Sequence, residues 1–239
     1  MYKRQAVLLP AATVSEETLE TPDGAVLRGI TLRQAGATTA LLYFGGNTFH
    51  LDEHGKGLLA HLAACGTNVA LFDYRGYGRS SGVPTVATMQ ADALRMYDHV
   101  SASHPGGVIV HGMSLGSFMA GYVAQQRPGA RALVLEATAT TVQDWVDANV
   151  PWYARLFMTV SVDPSLRGID NVQLVGGYRG TSLVLAGEKD KVTPPGLGRR
   201  VFDALPGERK QWFLADGADH NGILGQPAVR PVYCGVVKA

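Results

Sequence analysis

The feature that most constrains this chain is an alternation. Short, continuously apolar runs recur between stretches of helical periodicity. Thr39-Ala-Leu-Leu-Tyr-Phe44, Val69-Ala-Leu-Phe72, Gly107-Val-Ile-Val110, Ala132-Leu-Val-Leu135, Ser182-Leu-Val-Leu185 and Gln211-Trp-Phe-Leu214 read as strands. Between them, Gly57 to Cys65, Thr88 to Val100 and Leu115 to Gln126 read as helices, the second placing Met89, Ala93, Met96 and Val100 on one stripe. Strands without polar alternation are buried on both faces, which calls for a mostly parallel sheet covered by helices on each side. Ahead of them, Glu17 to Leu32 reads as a hairpin turning at Asp23-Gly24. The segment from about Thr138 to Gly180 is less regular, and the tail from Gln226, with two prolines, shows no helical stripe. In such sheets ligands bind beyond the carboxyl ends of the strands, so the residues just after each run are the candidates for chemistry.

Composition narrows the function classes. With 21 basic and 20 acidic side chains among 239 residues there is no electrostatic footprint for nucleic acid and no polybasic membrane patch. No apolar run reaches the ~18–20 residues of a bilayer span. The length fits a single domain over residues 1–239. Cys65 and Cys234 read as two isolated thiols, neither a disulfide framework nor a metal site. The expected location is cytoplasmic. Lys3 and Arg4 before a short apolar stretch only loosely mimic a signal peptide. Met1-Tyr-Lys-Arg-Gln5 matches the translation of a sequencing-adaptor stretch, so the natural start is expected to be missing; a leader lost with it could have directed export.

Two serines sit in G-x-S-x-G strings. Ser114 in Gly112-Met-Ser-Leu-Gly116 has an apolar strand before it and a helix after it, the context of a nucleophile elbow. Ser80 in Gly78-Arg-Ser-Ser-Gly82 lies in a polar glycine-rich loop and reads as structural. A serine hydroxyl needs a base oriented by an acid, and in the elbow architecture these follow in the order serine, acid, histidine. Asp190 follows the strand ending at Leu185 and His220 follows the strand ending at Leu214. Ser114, Asp190 and His220 are therefore the expected triad, with Glu188 and Glu136 as alternative acids, Glu136 chiefly structural. The oxyanion donors are expected from the N–H of Leu115 and from the Gly45-Gly46-Asn47-Thr48 loop, with Asn47 chosen. Trp145, Trp152 and Tyr153, with Leu156, Phe157 and Met158, read equally as an acyl pocket or as the core of a cap.

These residues together resemble the α/β-hydrolase superfamily, and within it the small serine hydrolases grouped with Bem46-like proteins. The resemblance rests on Tyr43-Phe-Gly-Gly-Asn47, Asp73-Tyr-Arg-Gly-Tyr-Gly-Arg-Ser-Ser-Gly82, Gly112-Met-Ser-Leu-Gly116, Ala186-Gly-Glu-Lys-Asp190 and Gly217-Ala-Asp-His220. It spans about Glu17 to Leu224. Gly45 stands where the family usually has histidine, and the expected covering helix at the C-terminus is not evident. The resemblance implies an α/β-hydrolase fold with a short cap insert near residues 138–180, and hydrolysis through an acyl-enzyme. Neither a metal nor an organic cofactor is needed. The expected partner is a small-molecule ester of small to medium acyl chain. Thioester, amide or peptide hydrolysis, perhydrolysis or acyl transfer on the same triad, and a non-catalytic binding role, are the rival expectations.

Overall fold

The computed structural model describes residues 12–151, 153, 154, 157 and 161–239. The adaptor-like N-terminus and the positions of Trp152, Leu156 and Met158 lie outside the described residues. The strands are β1 (Ala12–Glu20), β2 (Val26–Gln34), β3 (Ala40–Phe44), β4 (Asn68–Phe72), β5 (Val108–Met113), β6 (Ala132–Glu136), β7 (Thr181–Gly187) and β8 (Lys210–Ala215). They form one eight-stranded sheet in the order β1-β2-β4-β3-β5-β6-β7-β8. The β1–β2 hairpin pairs antiparallel and β2 lies antiparallel on β4; from β3 to β8 every pairing is parallel. Strands β3, β4, β6 and β7 are buried along their whole length, as their unbroken apolar runs require.

The helices are α1 (Leu51–Leu62), α2 (Val86–Ala102), α3 (Leu115–Gln126), α4 (Val142–Asn149), α5 (Asn171–Val175), α6 (Pro195–Ala204) and α7 (Val229–Lys238). One core packs Leu42, Val110 and Leu135 of the sheet against Met96 of α2, Phe118 of α3 and Val201 of α6. The other packs Leu41, Ile109 and Leu183 against Leu59 of α1 and Val236 of α7. This is the α/β-hydrolase fold that the sequence leads one to expect. Among the described residues no helix is long and apolar enough to cross a membrane.

Two expectations are corrected. The tail is a covering helix after all: Val229, Tyr233, Val236 and Val237 of α7 are buried on one stripe. Pro227 precedes the helix and Pro231 occupies its first turn, where an N–H would have no intrahelical acceptor, so neither proline breaks it. The two cysteines are not isolated thiols. Cys65, in the 3-10 turn closing α1, and Cys234 of α7 form a disulfide across 169 residues of sequence. They meet because α1 and α7 cover the same face of the sheet, which spacing in the chain could not reveal. Helix α1 also starts earlier than its apolar stripe predicts, because a distant residue caps it: the Asp73 carboxylate accepts from the Leu51 N–H at 2.8 Å.

Candidate active site

The sheet order reverses around β3, with β4 on one side and β5 on the other. Beyond this switch point the carboxyl ends of β3 and β5 open a crevice. The loop Gly45 to His50 leaves β3 there, and Ser114 leaves β5. Ser114 sits at φ 53°, ψ −118°, between strand and helix. Such a conformation costs a non-glycine residue about 1–3 kcal/mol and persists only where its surroundings enforce it. They do so by close approach. A Cβ on Gly112 would lie 2.2 Å from the Gly116 carbonyl oxygen, and one on Gly116 would lie 2.0 Å from that of Phe44. The Ser114 N–H donates to the Glu136 carbonyl at 2.9 Å, tying the turn to β6. The elbow glycines are thus steric requirements of this packing.

Asp190 and His220 come together across loops 30 residues apart. His220 Nδ1 lies 2.8 Å from Asp190 Oδ2, with the aspartate side chain fully buried and the imidazole 14% exposed. The acid is held from several sides: Oδ1 accepts from the Val192 and Thr193 N–H groups at 2.8 Å each, and Oδ2 from the Thr193 hydroxyl at 2.8 Å. Burial of Asp190 opposes its charge, but the hydrogen bonds from His220 and from Thr193 outweigh it and hold the carboxyl below its ordinary value. Because an ionised carboxylate only accepts, Nδ1 of His220 carries the proton and Nε2 is left as an acceptor. Thr193 escaped the sequence reading; its signal is a hydroxyl three residues after the acid, the spacing of a local Asp–Thr turn.

The other sequence candidates divide clearly. Ser80 is structural: its hydroxyl donates to the Asp73 carbonyl at 2.8 Å and accepts from the Arg28 N–H at 2.9 Å. Glu188 is exposed and accepts from the Gly217 N–H at 2.9 Å, which holds its carboxyl below the ordinary value. Glu136 bonds His111 (Oε2 to Nε2, 3.1 Å) instead of His220. Gly45, where the resembled family has histidine, leaves room for Phe49: a Cβ there would lie 2.2 Å from the Phe49 ring. Asp73 helps shape the same loop from β4 by accepting from Leu51 and Arg79 N–H groups, and burial raises its carboxyl above the ordinary value.

Ser114, His220, Asn47 and Leu115 all line one cleft of about 980 Å³. Its walls are mostly apolar, with Phe118 of α3 and Val142, Leu166 and Ile169 of the 138–180 segment. Trp145 also lines it; Tyr153 does not and is 57% exposed, while Phe157 is 88% exposed and so belongs to neither a pocket nor a core. The 138–180 segment is anchored beneath the elbow helix. Asn171 donates to the Thr138 hydroxyl at 3.0 Å and to the Ala139 carbonyl at 3.1 Å, and Thr138 donates to Ser117 at 2.9 Å. Ser117 in turn donates to the Ser114 carbonyl at 2.6 Å.

Comparison with known proteins agrees with this fold. Residues 38–171, more than half of the chain, match the Hydrolase_4 family, described as serine aminopeptidase, S33. The chain is 31% identical over 219 residues to the uncharacterized protein Rv2307c of Mycobacterium tuberculosis, covering 90% of this chain and 74% of that protein. It is 27% identical over 191 residues to the protein bem46 of Schizosaccharomyces pombe, covering 76% of this chain and 61% of bem46. Among solved structures, the Pyrococcus furiosus esterase Pf2001 superposes with a TM-score of 0.78 at 17% identity, over 100% of this chain and 95% of that one. The chain belongs to the α/β-hydrolase superfamily, in the family described as serine aminopeptidase S33, and resembles Bem46-like proteins.

Proposed function

We propose that this hydrolase cleaves carboxylic esters of small to medium acyl chain through an acyl-enzyme on Ser114. One observation carries the reading: a serine held at φ 53° shares a cleft with a histidine whose Nδ1 is 2.8 Å from a buried aspartate. With Nδ1–H committed to Asp190, Nε2 of His220 takes the Ser114 proton as the hydroxyl oxygen attacks the ester carbonyl. The oxyanion is held by the N–H of Leu115, at the positive end of α3, and by that of Asn47. The loop carrying Asn47 packs close to the nucleophile, since a Cβ on Gly46 would lie 3.7 Å from Ser114 Cβ. Collapse of the intermediate returns the proton from His220 to the leaving alcohol. Water then repeats the cycle and releases the acid.

The 138–180 segment serves as a minimal cap on a single domain, and its short helices and apolar inner wall support a shallow acyl site with Trp145 at its edge. The esterase superposition supports the same substrate class. The Cys65–Cys234 disulfide supports an oxidising compartment, against the cytoplasm expected from the sequence. The test is hydrolysis of p-nitrophenyl acetate, butyrate and octanoate by wild type and Ser114→Ala. Turnover should fall by up to ~10⁶ if the triad acts as a unit. Equal rates for the two proteins on every ester would refute the reading.

A further inference from the structure

We infer that Glu136 selects substrates, accepting a hydrogen bond from a hydroxyl or ammonium group carried by the ester on the cleft wall beside Ser114. Glu136 ends β6, opposite Met113 in the parallel register, and it lines the same cleft as Ser114 and His220. Its side chain is 4% exposed, and its hydrogen bonding is one-sided. Oε2 faces Nε2 of the fully buried His111 at 3.1 Å, and Nδ1 of that ring faces the Tyr233 hydroxyl at 2.9 Å. With the ring neutral, every donor in the chain is used: Tyr233 O–H to Nδ1, and Nε2–H to Glu136. Nothing in this relay reaches Oε1, which has no protein partner among the described residues.

Oε1 is not among the fully buried unpartnered atoms, so it opens on the cleft, where a ligand donor can replace water beside a carboxylate that has one protein donor. Among the described residues no lysine or arginine lines the cleft, so no described side-chain cation other than a protonated histidine is placed to do so. Met113, opposite Glu136 in the strand register, and Tyr43, edge-on to the His111 ring, line the cleft with it. A ligand donor fills the place. The consequence is a preference for esters bearing a hydroxyl or ammonium over alkyl esters of the same length, and discrimination against carboxylates. This rests on the serine-hydrolase reading above.

The experiment compares kcat/KM for matched esters in wild type and Glu136→Gln. On the acyl side, p-nitrophenyl 6-aminohexanoate and 6-hydroxyhexanoate are set against heptanoate. On the alcohol side, 2-hydroxyethyl butyrate is set against propyl butyrate. The side on which a donor helps identifies which half of the ester meets Glu136. There the donor-over-alkyl ratio should be about tenfold in wild type, the scale of one charge-assisted hydrogen bond. It should collapse toward one in Glu136→Gln, mainly through KM, with unfolding midpoints recorded for both proteins. A ratio at or below one on both sides in wild type, or one unmoved by the substitution, overturns the proposal. A second reading needs no variant at Glu136: wild type should turn over p-nitrophenyl hydrogen adipate more slowly than heptanoate, and equal or faster turnover counts against the carboxylate. If no ester is cleaved at all, the hydrolase reading fails separately. Calorimetric titration of Ser114→Ala with hexylammonium then tests Glu136 alone, with binding expected and its absence refuting the role.

Discussion

Two carboxylate–histidine pairs lie at the same edge of the sheet, and they are built differently. In Asp190–His220 the acid accepts from two backbone N–H groups, a threonine hydroxyl and the imidazole, while the ring stays 14% exposed and opens on the cleft. In Glu136–His111 the ring is fully buried and clasped between Glu136 and Tyr233, while the acid has a single donor. The first pair fully satisfies its acid and leaves the imidazole one uncommitted nitrogen. The second spends both nitrogens of the ring and leaves the acid short. Chemically alike pairs thus differ in role according to which member keeps an unspent valence. A histidine next to a carboxylate is not by that fact a base; it must face the nucleophile with one nitrogen uncommitted.

The sharpest way to break this comparison is Asp190→Asn, which keeps the shape but lets the amide donate toward Nδ1 and favours the wrong tautomer. We expect kcat to fall by ~10⁴ with little change in KM. A loss under tenfold would mean that His220 does not depend on Asp190. His111→Ala should act on stability instead, stranding Glu136 and Tyr233 in the interior at about 3–5 kcal/mol, read from urea unfolding midpoints. Stability equal to wild type would show that the second pair is not holding α7 to the sheet. Cys65→Ser with Cys234→Ser probes the same attachment from outside. Freeing a helix closed over 169 residues should lower unfolding free energy by about 2–5 kcal/mol. If α7 aligns both pairs, the His220 loop that leads into it should also become more protease-sensitive. The smallest effect is pH-dependent. Since the folded-state value of Asp190 is depressed, its contribution to stability is present above the unfolded value near 3.8 and is lost as pH falls through the lower folded value. Wild type should therefore lose more stability below pH ~4 than Asp190→Asn does, as measured by thermal midpoints across that range.

Ser114, Asp190 and His220 could be singled out as candidates before any coordinates because each follows an apolar strand, and in a parallel sheet strand ends converge; the structure pairs Asp190 with His220 and lines one cleft with His220 and Ser114. The elbow was legible because G-x-S-x-G flanked by strand and helix describes a steric condition, which the 2.2 Å and 2.0 Å approaches at Gly112 and Gly116 make explicit. The same logic set Ser80 aside. The start of α1 was not legible, since its cap is Asp73, 22 residues downstream of Leu51. Helix α7 was not legible: Val229, Tyr233, Val236 and Val237 form its buried stripe, but Pro227 and Pro231 hid it because the helix boundary was not known.

By itself the sequence determined where β3 to β7 lie in the chain and that they are buried, because unbroken apolar runs must be covered on both faces; β8, expected to be buried in the same way, is only half-covered, as the last strand of the sheet. It also singled out Ser114, Asp190 and His220 as the candidate site residues and gave their chain order. Only the tertiary structure decided the rest. It joined Cys65 to Cys234, and it gave His111 to Glu136 rather than His220. It placed Trp145 in the cleft and Tyr153 outside it. The reason is that periodicity records which face of an element is apolar, whereas a hydrogen bond or a disulfide depends on which elements share that face, and residues far apart in the chain meet only after the sheet has closed.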